Sequence, residues 1–131
     1  KAVRDCTRGR VIALFGCGGD RDHGKRPMMG EIGGRLADFS ILTSDNPRSE
    51  DPYQILAAIE EGIRHTKGAY TVIENRREAI RYALEIARDG DVVVLAGKGH
   101  ETYQEIRGEK HPFDEKIVVK ELLADMRAHK N

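Results

Sequence analysis

The sequence predicts a single α/β domain in which helices flank a mainly parallel sheet, with a hairpin and a closing helix at the C-terminal end. Three observations predict it. The chain has 131 residues, the length of one domain, and 39% of them are apolar. Short runs dense in apolar residues alternate with segments of helical periodicity. Strand and helix signals that alternate in this way indicate right-handed βαβ units.

Four short apolar runs are predicted as strands buried on both faces of the sheet. They cover residues 11–15, 39–43, 69–73 and 92–96. A helix predicted over residues 27–37 is weakly marked, because each glycine inside a helix costs roughly 1 kcal/mol relative to alanine. Its glycines are Gly30, Gly33 and Gly34.

The next two helices have clear start signals. Asp51 can cap the helix that follows it, and Pro52 suits the first turn because it has no amide hydrogen to satisfy. The apolar residues of this helix are Ile55, Leu56, Ile59 and Ile63. Asn75 and Glu78 resemble a capping box at the start of the following helix. Its apolar residues are Ala79, Ile80, Ala83, Leu84 and Ala87.

The end of the chain departs from the alternation of strands and helices. Residues 103–113 centre on Gly108 and predict a hairpin, and Asp114 can cap a closing helix. The apolar residues of that helix are Ile117, Val118, Leu122, Leu123 and Met126.

Composition excludes several classes of function. The 22 basic and 22 acidic side chains cancel, which argues against nucleic acid or an anionic membrane as a partner. No apolar run approaches the ~20 residues of a membrane span. Cys6 and Cys17 have neither disulfide-scaffold nor zinc spacing, so we expect no metal site and a reducing, cytoplasmic compartment. Cys17 is also a poor candidate nucleophile, because no partner histidine is implied.

Polar, glycine-rich loops follow three of the predicted strands. We call residues 16–25 the first loop, residues 45–48 the second loop and residues 97–101 the third loop. In an open α/β sheet, ligands bind beyond the carboxyl ends of the strands. We therefore expect the three loops to converge on one ligand.

The first loop has two possible functions. Its glycines precede a helix and can expose backbone N–H groups to a phosphate. However, neither GxGxxG nor GxxxxGK[ST] is present. A tight turn from strand to helix, with no ligand, explains the same glycines equally well.

The second loop presents an arginine from a stiff backbone. Pro47 fixes the turn and pushes Asn46 toward an extended conformation. The planar guanidinium of Arg48 is then suited to bidentate capture of a carboxylate or phosphate. The alternative is an ordinary Asx turn with Arg48 in solvent.

The third loop places Lys98, His100 and Glu101 beside two glycines. Glu101 can accept hydrogen bonds from an ammonium group, while Arg48 and Arg21 can hold carboxylates. Together these groups would form a receptor for a zwitterion such as an amino acid. The alternative is that His100 bonds nearby backbone and that Lys98 is an ordinary surface charge.

At these loops the sequence resembles the C-terminal domain of the Mur ligases. Residues 16–30, GCGGDRDHGKRPMMG, resemble the start of that domain. DNPR at residues 45–48 resembles the family's recognition motif for meso-diaminopimelate, and AGKGHE at residues 96–101 resembles its second signature. The resemblance implies a Rossmann-like domain over residues 10–131, with residues 1–9 as the end of an interdomain connection.

The resemblance also implies one part of a three-domain, ATP-dependent amide ligase of peptidoglycan synthesis. In that family, ATP with Mg²⁺ phosphorylates the D-glutamate carboxylate of UDP-MurNAc-L-Ala-D-Glu, and the amine of the incoming amino acid attacks the acyl phosphate. This domain would bind the amino acid. ATP, Mg²⁺ and the UDP-MurNAc-dipeptide would be held mainly by the other domains, so we expect the isolated chain to bind no cofactor and to catalyse nothing alone.

The resemblance assigns roles residue by residue. The residues implied to bind meso-diaminopimelate are Arg21, Asp45, Asn46, Pro47, Arg48, Gly97 and Glu101. Arg48 and Arg21 would grip the distal carboxylate, while Asn46 and Glu101 would contact the distal amine. Contacts to the phosphates of the nucleotide are implied for Asp22 and Lys25.

Two alternatives stay open. One is a related Mur-type ligase that adds another amino acid, although a substrate without a distal carboxylate would leave Arg48 with nothing to hold. The other is a stand-alone nucleotide- or phosphate-binding module that uses the first loop.

Overall fold

A computed structural model describes residues 9–18, 24–96, 103–106, 109–112 and 115–130. These residues form a four-stranded sheet and a two-stranded antiparallel hairpin, with four helices. In chain order the elements are β1 (Val11–Phe15), α1 (Lys25–Leu36), β2 (Phe39–Leu42), α2 (Pro52–Ile63), β3 (Ala69–Val72), α3 (Arg76–Ile86), β4 (Val92–Leu95), β5 (Tyr103–Ile106), β6 (Glu109–Pro112) and α4 (Glu115–Lys130).

The larger sheet is parallel throughout, with the strand order β3-β2-β1-β4. Ile12 of β1 pairs with Phe39 of β2 on one side and with Val93 of β4 on the other. All four strands therefore end at the same edge, which we call the carboxyl edge. The predicted α/β class, the parallel sheet, the hairpin and the closing helix are confirmed. Asp114, the predicted cap of that helix, lies outside the described residues.

The two faces of the sheet carry separate apolar clusters, because alternate residues of a strand point to opposite faces. Against α3 and α4 the cluster consists of Ile12, Leu14, Ile41, Ala79, Ile80, Ala83, Val118 and Leu122. Against α2 it consists of Phe15, Leu42, Ile55, Leu56, Ile59 and Ile63. Burial on both faces holds for most of β1 and β2. The prediction was wrong for β3 and β4, whose residues are half-exposed or exposed because these are the outer strands of the sheet.

The start signals of α2 and α3 are confirmed. The carboxylate of Asp51 accepts a hydrogen bond from the backbone N–H of Tyr53 at 2.9 Å. The side chain of Asn75 accepts one from the backbone N–H of Glu78 at 3.0 Å. Each cap satisfies an amide that the first helical turn leaves without an intrahelical partner.

The glycines of α1 have a packing role that helix propensity does not reveal. A Cβ atom at Gly30 would overlap the carbonyl oxygen of Ile59 in α2, and a Cβ at Gly62 would overlap that of Pro27 in α1. The backbones of α1 and α2 therefore approach closely. The helical cost of the glycines is offset by this contact between the helices.

Hydrogen bonds and an ion pair between Arg10 and Asp91 join the segment just before β1 to the segment just before β4. The Asp91 carboxylate accepts from the backbone N–H of Arg10 at 2.8 Å, and from the Arg10 guanidinium at 2.9 and 3.1 Å. It also accepts from the backbone N–H of Arg88 at 3.0 Å. These bonds, led by the two backbone N–H groups, lower the pKa of Asp91 from 3.8 to about 2.

We expect Asp91 to make the fold acid-sensitive. Because its pKa is lower in the folded chain, its contribution to stability is present above about pH 4 and is lost as the pH falls toward about 2. In Asp91→Asn, the urea midpoint should be lower at neutral pH and should fall less steeply between these pH values. Asp89→Asn, at an exposed position two residues away, is the control and should keep the full acid slope. An unchanged slope in Asp91→Asn would contradict this role.

Candidate functional site

The carboxyl edge brings together the ends of the three strands that precede the loops in sequence. The first loop begins directly after β1, the second follows β2 by two residues, and the third begins one residue after β4. Of the predicted site residues, the structure describes Lys25, Asp45, Asn46, Pro47 and Arg48. Arg21, Asp22, Gly97 and Glu101 lie outside the described residues, and their roles stay predictions.

The second loop is built into the protein rather than lying on its surface. Asn46 is 2% exposed, Pro47 is fully buried and Arg48 is half-buried. A turn closes behind them, in which the backbone N–H of Glu50 donates to the Pro47 carbonyl at 3.0 Å. This burial argues against the alternative of an ordinary surface turn with Arg48 in solvent.

Arg48 has a left-handed backbone, with φ of 55°. A side chain with a Cβ atom rarely adopts this conformation, which costs on the order of 1–3 kcal/mol unless the surroundings enforce it. The buried Asn46 and Pro47 on one side and the turn to Glu50 on the other enforce it here. The guanidinium lies within 3.4 Å of the Asn46 carbonyl, which limits its freedom further. The cationic fork is thus presented from a fixed backbone at the carboxyl edge.

Arg26 joins the first loop to the turn that follows the second loop, a role that the sequence analysis missed. Its guanidinium, 3% exposed, donates two parallel hydrogen bonds to the Glu50 carboxylate at 2.7 and 3.1 Å. A third bond reaches the Gly18 carbonyl at 3.3 Å. A basic residue in the first turn of a helix carries no sequence signal for burial, since its partner Glu50 is 24 residues away.

Arg76 and Glu74 support the second loop from the connection between β3 and α3, and they too were missed. The Arg76 guanidinium donates to the Ser44 carbonyl at 3.0 Å and to the Ala96 carbonyl at 3.2 Å. The Ser44 hydroxyl donates to the Glu74 carboxylate at 2.9 Å. The residue before Asp45 is therefore held through both its backbone and its side chain.

Gly16 allows the first and second loops to begin in contact. A Cβ atom there would overlap the carbonyl oxygen of Thr43, whose backbone N–H donates to the Phe15 carbonyl at 3.0 Å. This contact supports the tight-turn interpretation for Gly16. Lys25 is exposed and is the first residue of α1, so it lies at the carboxyl edge, beside the positive end of the helix dipole.

The chemistry of Cys17 argues against nucleophilic catalysis. Its side chain is half-buried, and this burial raises the pKa of the thiol, an effect that the charge of Arg26 partly opposes. The thiolate, which is the reactive form, is therefore scarce at neutral pH.

An apolar cavity of about 250 Å³ lies between α1 and the strands β1 and β4. Its lining consists of Val11, Ala13, Phe15, Met29, Ile32, Gly33, Leu36, Ala37, Val94 and Ala96. None of the described residues that line it is charged, so an amino acid placed among them would lose its hydration without gaining a partner. The carboxyl edge, where charged groups meet, is the better candidate site.

Residues 1–99 match the sequence pattern of the family described as "Mur ligase, glutamate ligase domain". That match covers well over half of the chain. The chain belongs to the Mur ligase family.

Two Mur ligases that are similar to this chain have the same name. The chain is 61% identical over 125 residues to the UDP-N-acetylmuramoyl-L-alanyl-D-glutamate--2,6-diaminopimelate ligase of Caldanaerobacter subterraneus subsp. tengcongensis, covering 95% of this chain and 26% of the relative. It is 57% identical to the ligase of the same name from Alkaliphilus metalliredigens, covering 95% of this chain and 25% of that one. A solved structure titled as this ligase superposes with a TM-score of 0.88 at 48% identity, covering 92% of this chain and 25% of that one.

This Mur ligase chain therefore spans about a quarter of the length of the relatives it matches. Within its described residues, no helix is both long and apolar enough to span a bilayer. In the same part of the chain, no three His, Cys, Asp or Glu side chains are grouped as ligands for a metal ion.

Proposed function

We propose that this chain is the amino-acid-binding, C-terminal domain of an ATP-dependent, cytoplasmic ligase that adds meso-diaminopimelate to UDP-MurNAc-L-Ala-D-Glu. The observation that carries the proposal is the half-buried residue Arg48, held by a left-handed backbone at the carboxyl edge. The shared name of its relatives supports the same substrate. The match to a ligase domain over residues 1–99 does not favour a stand-alone nucleotide-binding module.

Recognition rests on the distal end of the amino acid. Diaminopimelate differs from lysine by a second carboxylate, and Arg48, together with Arg21, would hold that group. Asn46 and Glu101 would contact the distal amine. The remaining members of the proposed site are Asp45, Pro47 and Gly97. If L-lysine bound here as substrate, the guanidinium of Arg48 would have no carboxylate partner. The unpaired charge would therefore disfavour L-lysine relative to diaminopimelate.

The domain would accelerate the reaction by positioning its substrate. The amine nitrogen of the bound amino acid attacks the carbonyl carbon of an acyl phosphate, forming a tetrahedral intermediate. The C–O bond to phosphate then breaks, inorganic phosphate departs with the electron pair, and the nitrogen loses a proton. Holding the amine in line turns a bimolecular encounter into a nearly unimolecular step.

The other substrates would be bound mainly by parts of the ligase beyond this chain. Mur ligases are ATP-dependent, and we assign ATP, Mg²⁺ and the UDP-MurNAc-dipeptide to those parts, with Asp22 and Lys25 facing the nucleotide phosphates. Residues 1–9 would belong to the interdomain connection. The isolated chain is therefore expected to catalyse no ligation.

Substrate preference tests this function. In the full-length ligase that carries this sequence, we expect kcat/KM for meso-diaminopimelate to exceed that for L-lysine by about 10⁴-fold, as in sites built to pair a polar group. LL-diaminopimelate has the same charges in another configuration. Its kcat/KM relative to that of meso-diaminopimelate measures how strictly the site selects the configuration of the distal carbon. Equal or greater efficiency with L-lysine would identify a ligase for a different amino acid.

A further inference from the structure

The guanidinium of Arg76 joins the bases of the second and third loops. Arg76 is the first residue of α3 and is 1% exposed. The two carbonyl groups that it bonds belong to Ser44 and Ala96, at 3.0 and 3.2 Å. Each of these residues immediately precedes a predicted site residue, Asp45 in one loop and Gly97 in the other.

The two carbonyl groups are not brought together by the sheet itself. In the strand order β3-β2-β1-β4, β1 lies between the strands that lead to Ser44 and Ala96. Arg76 reaches them from α3, which packs against β1 and β2 on one face of the sheet. Because a guanidinium is planar and its N–H groups point in fixed directions, two bonds from one fork set the separation of the two acceptors. The side chain thus acts as a spacer between the base of the second loop and the end of β4.

The second loop is also anchored at points that do not involve Arg76, and these contacts preserve its internal shape. Ser44 is bound a second time, by its backbone N–H to the Glu74 carbonyl at 3.2 Å and by its hydroxyl to the Glu74 carboxylate at 2.9 Å. Two residues after the loop ends, Glu50 forms an ion pair with Arg26. The second loop therefore moves as a unit, and the two bonds of Arg76 tie its base to Ala96 at the end of β4.

We propose that Arg76 is a positioning residue for amino-acid recognition, which fixes the base of the second loop relative to the end of β4. This inference rests on the proposed function. It goes beyond that function in assigning a role in specificity to a buried side chain that lies beneath the substrate site.

The test uses the full-length ligase that carries this sequence, with steady-state kinetics for all three substrates. Arg76→Lys keeps the charge but cannot bond both carbonyls in the same plane. We expect it to raise KM for meso-diaminopimelate by about 10- to 100-fold, as a small misplacement of binding groups does. The KM values for ATP and UDP-MurNAc-L-Ala-D-Glu should stay within about twofold of the wild-type values, because only the amino-acid site is displaced.

Arg77 offers a matched control on the next residue. Its guanidinium is 41% exposed and pairs with Glu121 at 2.9 Å, away from the loops. Arg77→Lys should leave all three KM values unchanged. In Arg76→Ala, guanidinium ions at concentrations too low to unfold the protein should lower KM for meso-diaminopimelate toward the wild-type value, since they can occupy the vacated space.

Two results would overturn the proposal: a wild-type KM for meso-diaminopimelate in Arg76→Lys, or a parallel rise of all three KM values, which indicates a general structural role. If Arg76→Ala does not fold, Arg76→Lys alone decides. If the wild-type ligase rejects meso-diaminopimelate, the proposed function is wrong. Arg76 is then tested by the same selective rise in KM for the amino acid that the enzyme accepts.

Discussion

Replacing Arg48 with alanine in the full-length ligase is expected to lower kcat/KM for meso-diaminopimelate by about 30- to 1,000-fold. The loss corresponds to ~2–4 kcal/mol of transition-state binding, the effect of removing one partner of a desolvated charge pair. Arg48 is half-buried and its backbone is held left-handed, so its side chain is presented from a fixed point of the loop. Initial rates of phosphate release at varied amino-acid concentration measure the effect.

Two further variants define what Arg48 contributes. Arg48→Lys should also be impaired, because a point charge does not reproduce bidentate pairing with a carboxylate. Arg35→Ala is the surface control: its side chain is 65% exposed near the opposite end of α1, and it pairs only weakly with Glu31 at 3.7 Å. Unchanged kinetics in Arg48→Ala would remove Arg48 from the site and, with it, the observation that carries the proposed function.

Replacing Gly16 with alanine is expected to destabilise the domain by about 3 kcal/mol, near the upper end of the usual effect of overpacking. The added Cβ would overlap the carbonyl oxygen of Thr43, which is backbone and cannot rotate aside. The start of the first loop must then move away from the second. Thermal unfolding followed by circular dichroism should show a Tm lower by about 10 °C for a chain of this size.

The neighbouring residue provides the control for Gly16. Cys17→Ala removes a half-buried sulfur atom from the same loop without adding an atom, and it should lower Tm by no more than a few degrees. A Gly16→Ala variant as stable as Cys17→Ala would show that the two loops can separate at little cost. Their contact would then not be needed to hold the carboxyl edge together.

Much of the fold could be predicted from local sequence. Asp51 and Asn75 cap their helices through bonds to residues two and three positions away, so the signal lies in a few consecutive residues. The apolar runs of the two central strands also determined which residues are buried there. For the outer strands, the same apolar pattern predicted burial that the structure does not show. Burial depends on how many strands and helices lie beside a strand, and only the assembled sheet determines this.

The glycines of α1 show the same limit in a helix. Propensity alone treats Gly30 as a defect, whereas the folded chain places its backbone against the carbonyl of Ile59. A contact between residues of two different helices leaves no trace in the periodicity of either one.

The resemblance of the motifs DNPR and AGKGHE to those of the Mur ligases predicted the family, which the match over residues 1–99 confirms. The cationic and anionic groups that follow the strands predicted, by themselves, only a charged ligand. Only the tertiary structure decided how the second loop is held. Its supports join residues that are 20 to 32 positions apart, namely Arg26 with Glu50, and Arg76 with Ser44 and Ala96. The physical reason is that a buried arginine is stable only when carbonyl or carboxylate oxygens surround its guanidinium, and folding alone brings those oxygens to it.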